Sequence, residues 1–244
     1  MAKLLIWAHR GASRLAPENT LSAFSAAVDA GADGIELDIQ LSRDRIPVVI
    51  HDETVARTTN GAGRVRDLTL RELKSLDAGS WFAPEFAGEQ IPSLSEVLEA
   101  FAGRIRLNLE IKEPRAGLAV LDLLIDWPQA ELVVSSFNWW LLAQLRRLAP
   151  ELPLAVLLEG RSWHQALRVA RELSVVSLNP RCDQVGRLLL TACRRQGLPV
   201  TPWVVDQPQQ FERLCRSGVA GVFSNDPATL VACRRHLPIF NEMD

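Results

Sequence analysis

The chain has 244 residues, 48% of them hydrophobic, and a formal net charge of -2. That is enough apolar material for a substantial core in one large or two small domains, and it excludes global disorder. Basic and acidic residues are interspersed, with no basic stripe or tail, which argues against nucleic acid as the main partner.

The first residues run straight into an apolar segment that is too short for a signal-peptide core and is followed by His9-Arg10. No apolar run is long enough to span a bilayer, and no amphipathic stretch suggests stable membrane association, so a cytoplasmic location is expected. Cys182, Cys193, Cys215 and Cys233 are widely spaced and form no C-x-x-C pair. They read as small apolar fillers in a reducing compartment, not as a disulfide framework or a zinc site.

Taken in order, residues 3–8 read as a buried strand and His9-Arg10-Gly11-Ala12 as the loop after it. Asn19-Thr20 can cap a helix over 21–30, with Leu21, Phe24 and Val28 at helical spacing and Gly31 as its terminating glycine. In residues 34–40, Ile35, Leu37 and Ile39 alternate with Glu36, Asp38 and Gln40, the pattern of a strand. A turn over 42–45 leads to the apolar run 47–50 and then His51-Asp52. Residues 54–92 change character: they are turn-rich, hold a short helix over 70–75, and carry Trp81, Phe82 and Phe86 in a loop. This segment reads as an insertion capping a site, with its aromatics lining a cleft; anchoring the loop to the body is the alternative.

Ser93 with Glu96 forms a capping box for a helix ending near Phe101. After a strand over 104–111 the chain keeps a beat of strand and helix. Strands are expected over 132–136, 154–158, 175–178, 200–204 and 219–223. Helices are expected over 118–125, 139–148, 163–173, 185–196, 209–216 and 228–236. The strands are mostly continuous apolar runs, as parallel strands covered on both faces are. About eight strand-helix units make a single (β/α)8 TIM barrel domain over 1–244 the expected fold. An open doubly wound sheet is the runner-up, without a Gly-x-Gly-x-x-Gly turn to support a dinucleotide version.

In such a barrel, chemistry belongs at the carboxyl ends of the strands. There the chain puts His9-Arg10, Glu36 and Asp38, His51, and the run Asn108-x-Glu110-x-Lys112, whose three polar residues share one face. Side-by-side carboxylates repel and resist burial, so an oxygen-seeking divalent cation is the natural partner of Glu36, Asp38 and Glu110. The small ligand set and the cytoplasmic setting favour Mg²⁺ over Ca²⁺. Arg10 as a fork and Lys112 as a point charge suit a phosphate, and His9 and His51 suit acid and base roles around it.

His9-Arg10-Gly11, Pro17-Glu18-Asn19-Thr20, Gly34-Ile35-Glu36-Leu37-Asp38, His51-Asp52 and Glu110-Ile111-Lys112 together resemble the glycerophosphodiester phosphodiesterase family, in particular its small cytoplasmic bacterial members. The likeness extends weakly through Ser136-Phe137-Asn138, the Trp-x-x-Asp segment at Trp203, and the final Asp-Pro. It implies a TIM barrel with a small subdomain inserted after His51-Asp52. It implies hydrolysis of glycerophosphocholine, glycerophosphoethanolamine or similar small diesters to glycerol 3-phosphate and an alcohol. By motif position it makes Glu36, Asp38 and Glu110 metal ligands, His9 and His51 the acid-base pair, and Arg10 and Lys112 phosphate contacts, with Trp203 beside the substrate. Family members often carry Asp-Gly in the last strand and Thr-Asp after it; Ala220-Gly221 and Ser224-Asn225 stand here, expected to lie away from the charged set. A relative acting on lysophospholipids, or a barrel that binds phosphodiesters without turnover, are the competing readings. The two histidines argue against a pure binder. Which histidine is acid, whether a cyclic phosphate forms, and the oligomeric state stay open.

Overall fold

The computed structural model describes residues 4–160 and 162–237. Residue 3, the first of the strand expected over 3–8, lies outside them. Eight strands form one sheet: β1 (Leu5–His9), β2 (Gly34–Leu41), β3 (Pro47–Val49), β4 (Arg106–Ile111), β5 (Leu132–Ser136), β6 (Leu154–Leu158), β7 (Ser177–Pro180) and β8 (Gly221–Ser224). Seven run parallel in the order β7-β6-β5-β4-β2-β1-β8, while β3 turns back antiparallel to β2.

The strand expected over 200–204 is not a regular strand, but residues 199–205 still act as a stave. On one side Leu178 donates to the Pro199 carbonyl, Thr201 to Leu178 and Trp203 to Pro180. On the other, Ala220 donates to Val200, Phe223 to Pro202 and Val205 to Phe223. Pro199 and Pro202 have no N–H, which breaks the ladder into separate bridges. These bonds join β7 to β8 and curl the parallel sheet into a ring.

Nine α-helices of the described residues surround the sheet. They are α1 (Leu21–Asp29), α2 (Leu70–Lys74), α3 (Leu94–Phe101), α4 (Ala116–Leu124), α5 (Trp139–Leu148), α6 (Trp163–Glu172), α7 (Arg187–Arg195), α8 (Pro208–Arg216) and α9 (Pro227–His236). Their starts follow from local chemistry. The Thr20 hydroxyl accepts from Ala23 N, Ser93 and Glu96 close a reciprocal box, and Asn138 and Asp226 cap α5 and α9. Gly31, at φ +75°, ends α1. None of these helices is long and apolar enough to cross a membrane.

Strand parity divides the core in two. Ile35, Leu37 and Ile39, with Leu107 and Leu109, face outward against α1 and α3, where Phe24 and Phe101 meet edge to face at 5.9 Å. The opposite parity points into the ring. Low in the ring Trp7 stacks on Phe223, and a Cβ on Gly34, its register partner, would lie 2.3 Å from the Trp7 ring. Only glycine fits there. Residues 54–92 keep a small apolar cluster of their own, including Val55, Val65, Leu73 and Ile91 beneath Val48 and Ile50. Trp81, Phe82 and Phe86 pack edge to face on one another, so the expectation that they line a cleft does not hold for the cavity described below. All four cysteines are free; burial pushes the Cys193 and Cys215 thiols up to about 11, which leaves them as inert fillers. Trp139 is tied to the Leu157 carbonyl and packs on the core, while Trp140 is exposed.

Candidate active site

At the carboxyl ends of the strands the inward parity becomes polar. Asp38 and Glu110 are register partners on adjacent strands, and Glu36 sits two residues below Asp38. Their carboxylate oxygens lie within 4.8 Å of one another, all three buried. A cavity of about 130 Å³ opens beside them, lined by His9, Arg10, Glu36, His51, Glu110 and Lys112, with Phe137, Leu157 and Trp203 as its apolar wall. Every residue singled out from the sequence for this site therefore converges there, Asp38 as a member of the carboxylate cluster beside the cavity and not as part of its lining.

The turn after β1 is shaped for this. Arg10 takes a left-handed conformation (φ +57°), costly for a side chain of its size, and its N–H is thereby aimed at Glu36 Oε2 at 2.9 Å. Gly11 follows at φ +81°, and a Cβ there would meet Ala23 at 2.7 Å, so α1 and the turn can only close on glycine. The Arg10 guanidinium lies 3.2 Å from Asp38 and donates to Glu18 at 2.9 Å. Asn19, also left-handed, donates to Asp38 Oδ2 at 2.8 Å and accepts from the Asp38 N–H. Lys112 Nζ is 2.8 Å from Glu110, 3.7 Å from Asp38 and 3.1 Å from His51 Nε2.

Burial and crowding act unequally on these groups. Glu36 is raised well above the usual carboxylate range, by burial first and then by the neighbouring charges of Asp38 and Glu110. Glu110 is raised to about 7 by burial and by Asp38, against the pull of Lys112. Asp38 is buried as deeply, yet Arg10 and Lys112 outweigh burial and hold it low. Lys112 is raised in turn: burial opposes its charge, but Glu110 and Asp38 more than compensate. Burial and then Arg10 depress His9 to about 4.

Glu36 Oε1 and Asp38 Oδ1 are buried and accept no hydrogen bond among the described residues. Unsatisfied, mutually repelling hard oxygens are what an oxygen-coordinated divalent cation would relieve. The donor set fits Mg²⁺ or Ca²⁺.

The structure adds residues that sequence reasoning missed. Asp52 accepts from His51 Nδ1 at 2.6 Å, and Arg57 clamps Asp52 (2.7 Å) to Glu18 (2.8 Å), with Asp52 held below its usual range chiefly by that clamp. Asp52 and Glu18 stood in noted motifs; Arg57 carried no signal within a turn-rich stretch. The expectation that Ser224-Asn225 lies away from the charged set is wrong. Asn225 Oδ1 is 2.8 Å from His9 Nδ1, because the bend after β8 folds back beside β1, the strand β8 pairs with.

The family model for the glycerophosphoryl diester phosphodiesterase family matches residues 9–229. A glycerophosphodiester phosphodiesterase of Caldanaerobacter subterraneus subsp. tengcongensis is 41% identical over 239 residues, covering 94% of this chain and 97% of the relative. One of Bacillus subtilis is 34% identical, covering 92% of this chain and 84% of the relative. Among solved structures, an Oleispira antarctica phosphodiesterase in complex with the product sn-glycerol-3-phosphate superposes with a TM-score of 0.87 at 32% identity, covering 94% of this chain and 96% of that one. A glycerophosphodiester phosphodiesterase from Agrobacterium tumefaciens str. C58 gives 0.85 at 31% identity, covering 94% and 100%.

Proposed function

Because this chain belongs to the glycerophosphoryl diester phosphodiesterase family, we propose that it hydrolyses small glycerophosphodiesters such as glycerophosphocholine and glycerophosphoethanolamine to glycerol 3-phosphate and an alcohol. The observation that carries the reading is the buried Glu36, Asp38 and Glu110 cluster with its orphaned oxygens, ringed by His9, His51, Arg10 and Lys112 around one cavity. The ring of parallel strands is read as a (β/α)8 TIM barrel spanning the whole chain. Residues 54–92, with their separate apolar cluster, are its inserted subdomain.

Glu36, Asp38 and Glu110 would hold a divalent cation, Mg²⁺ in preference to Ca²⁺ on the strength of a small all-carboxylate set. When bound, it supplies Lewis-acid stabilisation of charge on the phosphoryl oxygens. The Arg10 guanidinium and the Lys112 ammonium face the same cavity and bind the phosphate, and the Trp203 and Phe137 rings form the wall against which the substrate is oriented. One histidine removes the proton from the attacking oxygen (the adjacent glycerol hydroxyl or a water), and the other protonates the leaving alcohol. Asp52, held by Arg57, fixes His51 with Nδ1 protonated, so its Nε2 is turned to Lys112 and the cavity. Small diesters accord with a 130 Å³ cavity, and a cytoplasmic site of action is part of the same reading.

Release of glycerol 3-phosphate from glycerophosphocholine by purified protein tests this, run with Mg²⁺, with Ca²⁺ and with EDTA, beside Glu36→Ala. Metal-dependent release that the variant loses is expected. Absence of release by folded protein with either metal would overturn the reading.

A further inference from the structure

The contacts behind His9 form a chain whose polarity is fixed at one end. Asp206 directly follows the irregular stave, and its carboxylate can only accept. Its Oδ1 takes the Asn225 backbone N–H at 2.8 Å and the Ser224 hydroxyl at 3.0 Å; its Oδ2 takes Asn225 Nδ2 at 2.8 Å. The Asn225 amide group is therefore held with its nitrogen toward Asp206 and its oxygen toward His9. That oxygen accepts from His9 Nδ1 at 2.8 Å, and Ser13 Oγ stands 3.0 Å away as a second donor. An imidazole whose Nδ1 must donate has its lone pair on Nε2. The Nε2 atom is the one on the Glu36 side, 3.9 Å from Oε2, at the cavity.

We propose that Asp206 and Asn225 are positioning residues for the reaction: acting in series, they lock His9 as the Nδ1–H tautomer with Nε2 presented to the substrate as a proton acceptor. This rests on the phosphodiesterase reading and deepens it, since neither residue touches the cavity itself. The two histidines then share one design with different parts. A carboxylate, Asp52, sets the His51 tautomer directly, and an amide under the control of a carboxylate sets that of His9.

The consequences of altering the chain follow from donor and acceptor chemistry. In Asp206→Asn the backbone N–H of Asn225 still demands an oxygen at the Oδ1 position, so the new amide must point its nitrogen at Asn225. Asn225 then has to turn over, offering its own nitrogen to His9 Nδ1 and driving the ring proton to Nε2. In Asp206→Asn combined with Asn225→Asp, the residue at 206 donates to the carboxylate at 225, which accepts from His9 Nδ1 as before. The double change restores the tautomer that the single change reverses.

The test couples ¹⁵N-imidazole NMR of histidine-labelled protein, with His9 assigned by the signals lost in His9→Gln, to steady-state kinetics on glycerophosphocholine. Wild type is expected to show His9 protonated at Nδ1. Asp206→Asn is expected to show it protonated at Nε2, with kcat down by at least ~10² and KM changed by less than ~3-fold. The double variant should regain the wild-type tautomer and come within ~10-fold of wild-type kcat. A wild-type ring protonated at Nε2 overturns the proposal. So does an Asp206→Asn variant whose tautomer is unchanged, whatever its rate. If Asp206→Asn fails to fold, the wild-type spectrum and the double variant still decide. A wild type without turnover would sink the phosphodiesterase reading, while the spectrum continues to report on the tautomer.

Discussion

Glu110→Gln should stabilise the metal-free protein and abolish its stabilisation by divalent cations. Glu110 is only 7% exposed, beside Asp38 and Glu36, and its pKa is raised from 4.5 to about 7 even with Lys112 at 2.8 Å. A group raised on folding contributes stability that is full below the unfolded value and lost as pH rises through the folded one. From pH 4.5 to above pH 7, then, ionised Glu110 becomes a growing liability, reaching roughly 3 kcal/mol. A neutral glutamine removes it. In a domain of this size that is about 6–12 °C in Tm at pH 8, shrinking toward zero at pH 4.5. Thermal unfolding of both proteins in EDTA at pH 5, 6.5 and 8 measures it, and comparing the two at each pH cancels the contributions of groups they share. Adding Mg²⁺ should raise the wild-type Tm, more at pH 8 than at pH 5 because binding displaces protons, and leave the variant unmoved. A variant less stable than wild type at pH 8 in EDTA would refute the account of the site as strained by like charge.

His9→Ala and His51→Ala should each lower kcat on glycerophosphocholine by about 10² to 10⁴ with folding intact by circular dichroism; near-normal turnover in either removes that residue from the acid-base pair. Arg57→Ala unclamps Asp52 from Glu18, and should lower kcat by roughly 10- to 100-fold through misplacement of His51, with a smaller effect on Tm because the arginine is partly exposed. Gly11→Ala puts a Cβ into Ala23 at a φ of +81°, and should cost more than about 1 kcal/mol in urea unfolding as well as activity.

How far the sequence could be read depended on the range of the interactions. Strand parity in 34–41 and 106–111 is a local, period-two property, and it assigned Glu36, Asp38, Glu110 and Lys112 to one face before any contact was known. The helix starts at Leu21, Leu94 and Trp139 were equally local, each decided by a capping side chain next to an apolar run. The stave at 199–205 was placed correctly but not as a regular strand, because prolines in it remove two ladder donors while leaving the carbonyls to bridge. The aromatic loop misled, since Trp81, Phe82 and Phe86 satisfy one another. Aromatic content tells that a loop will bury its rings, not which surface they will bury them against. Asn225 was misplaced for a different reason. Its contact with His9 spans 216 positions and exists only because the ring brings β8 beside β1.

The part of the site that sequence did reveal was revealed by conflict. Asp38 and Glu110 are register partners, so the β2–β4 pairing that supplies much of the core also forces two carboxylates together under cover. A chain selected for stability alone would place aliphatic residues at these inward positions, as it does with Val133 and Ala155 on the neighbouring strands. Instead it spends surrounding structure on holding the charges: a left-handed Arg10 whose N–H reaches Glu36, a left-handed Asn19 bonded to Asp38, and Lys112 leaned between Glu110 and Asp38. Even so, two oxygens stay unmatched. Buried repulsion and orphaned acceptors at one point are departures from what folding favours that a binding partner of opposite charge would relieve, and the left-handed turn is the strain accepted to hold the carboxylates there.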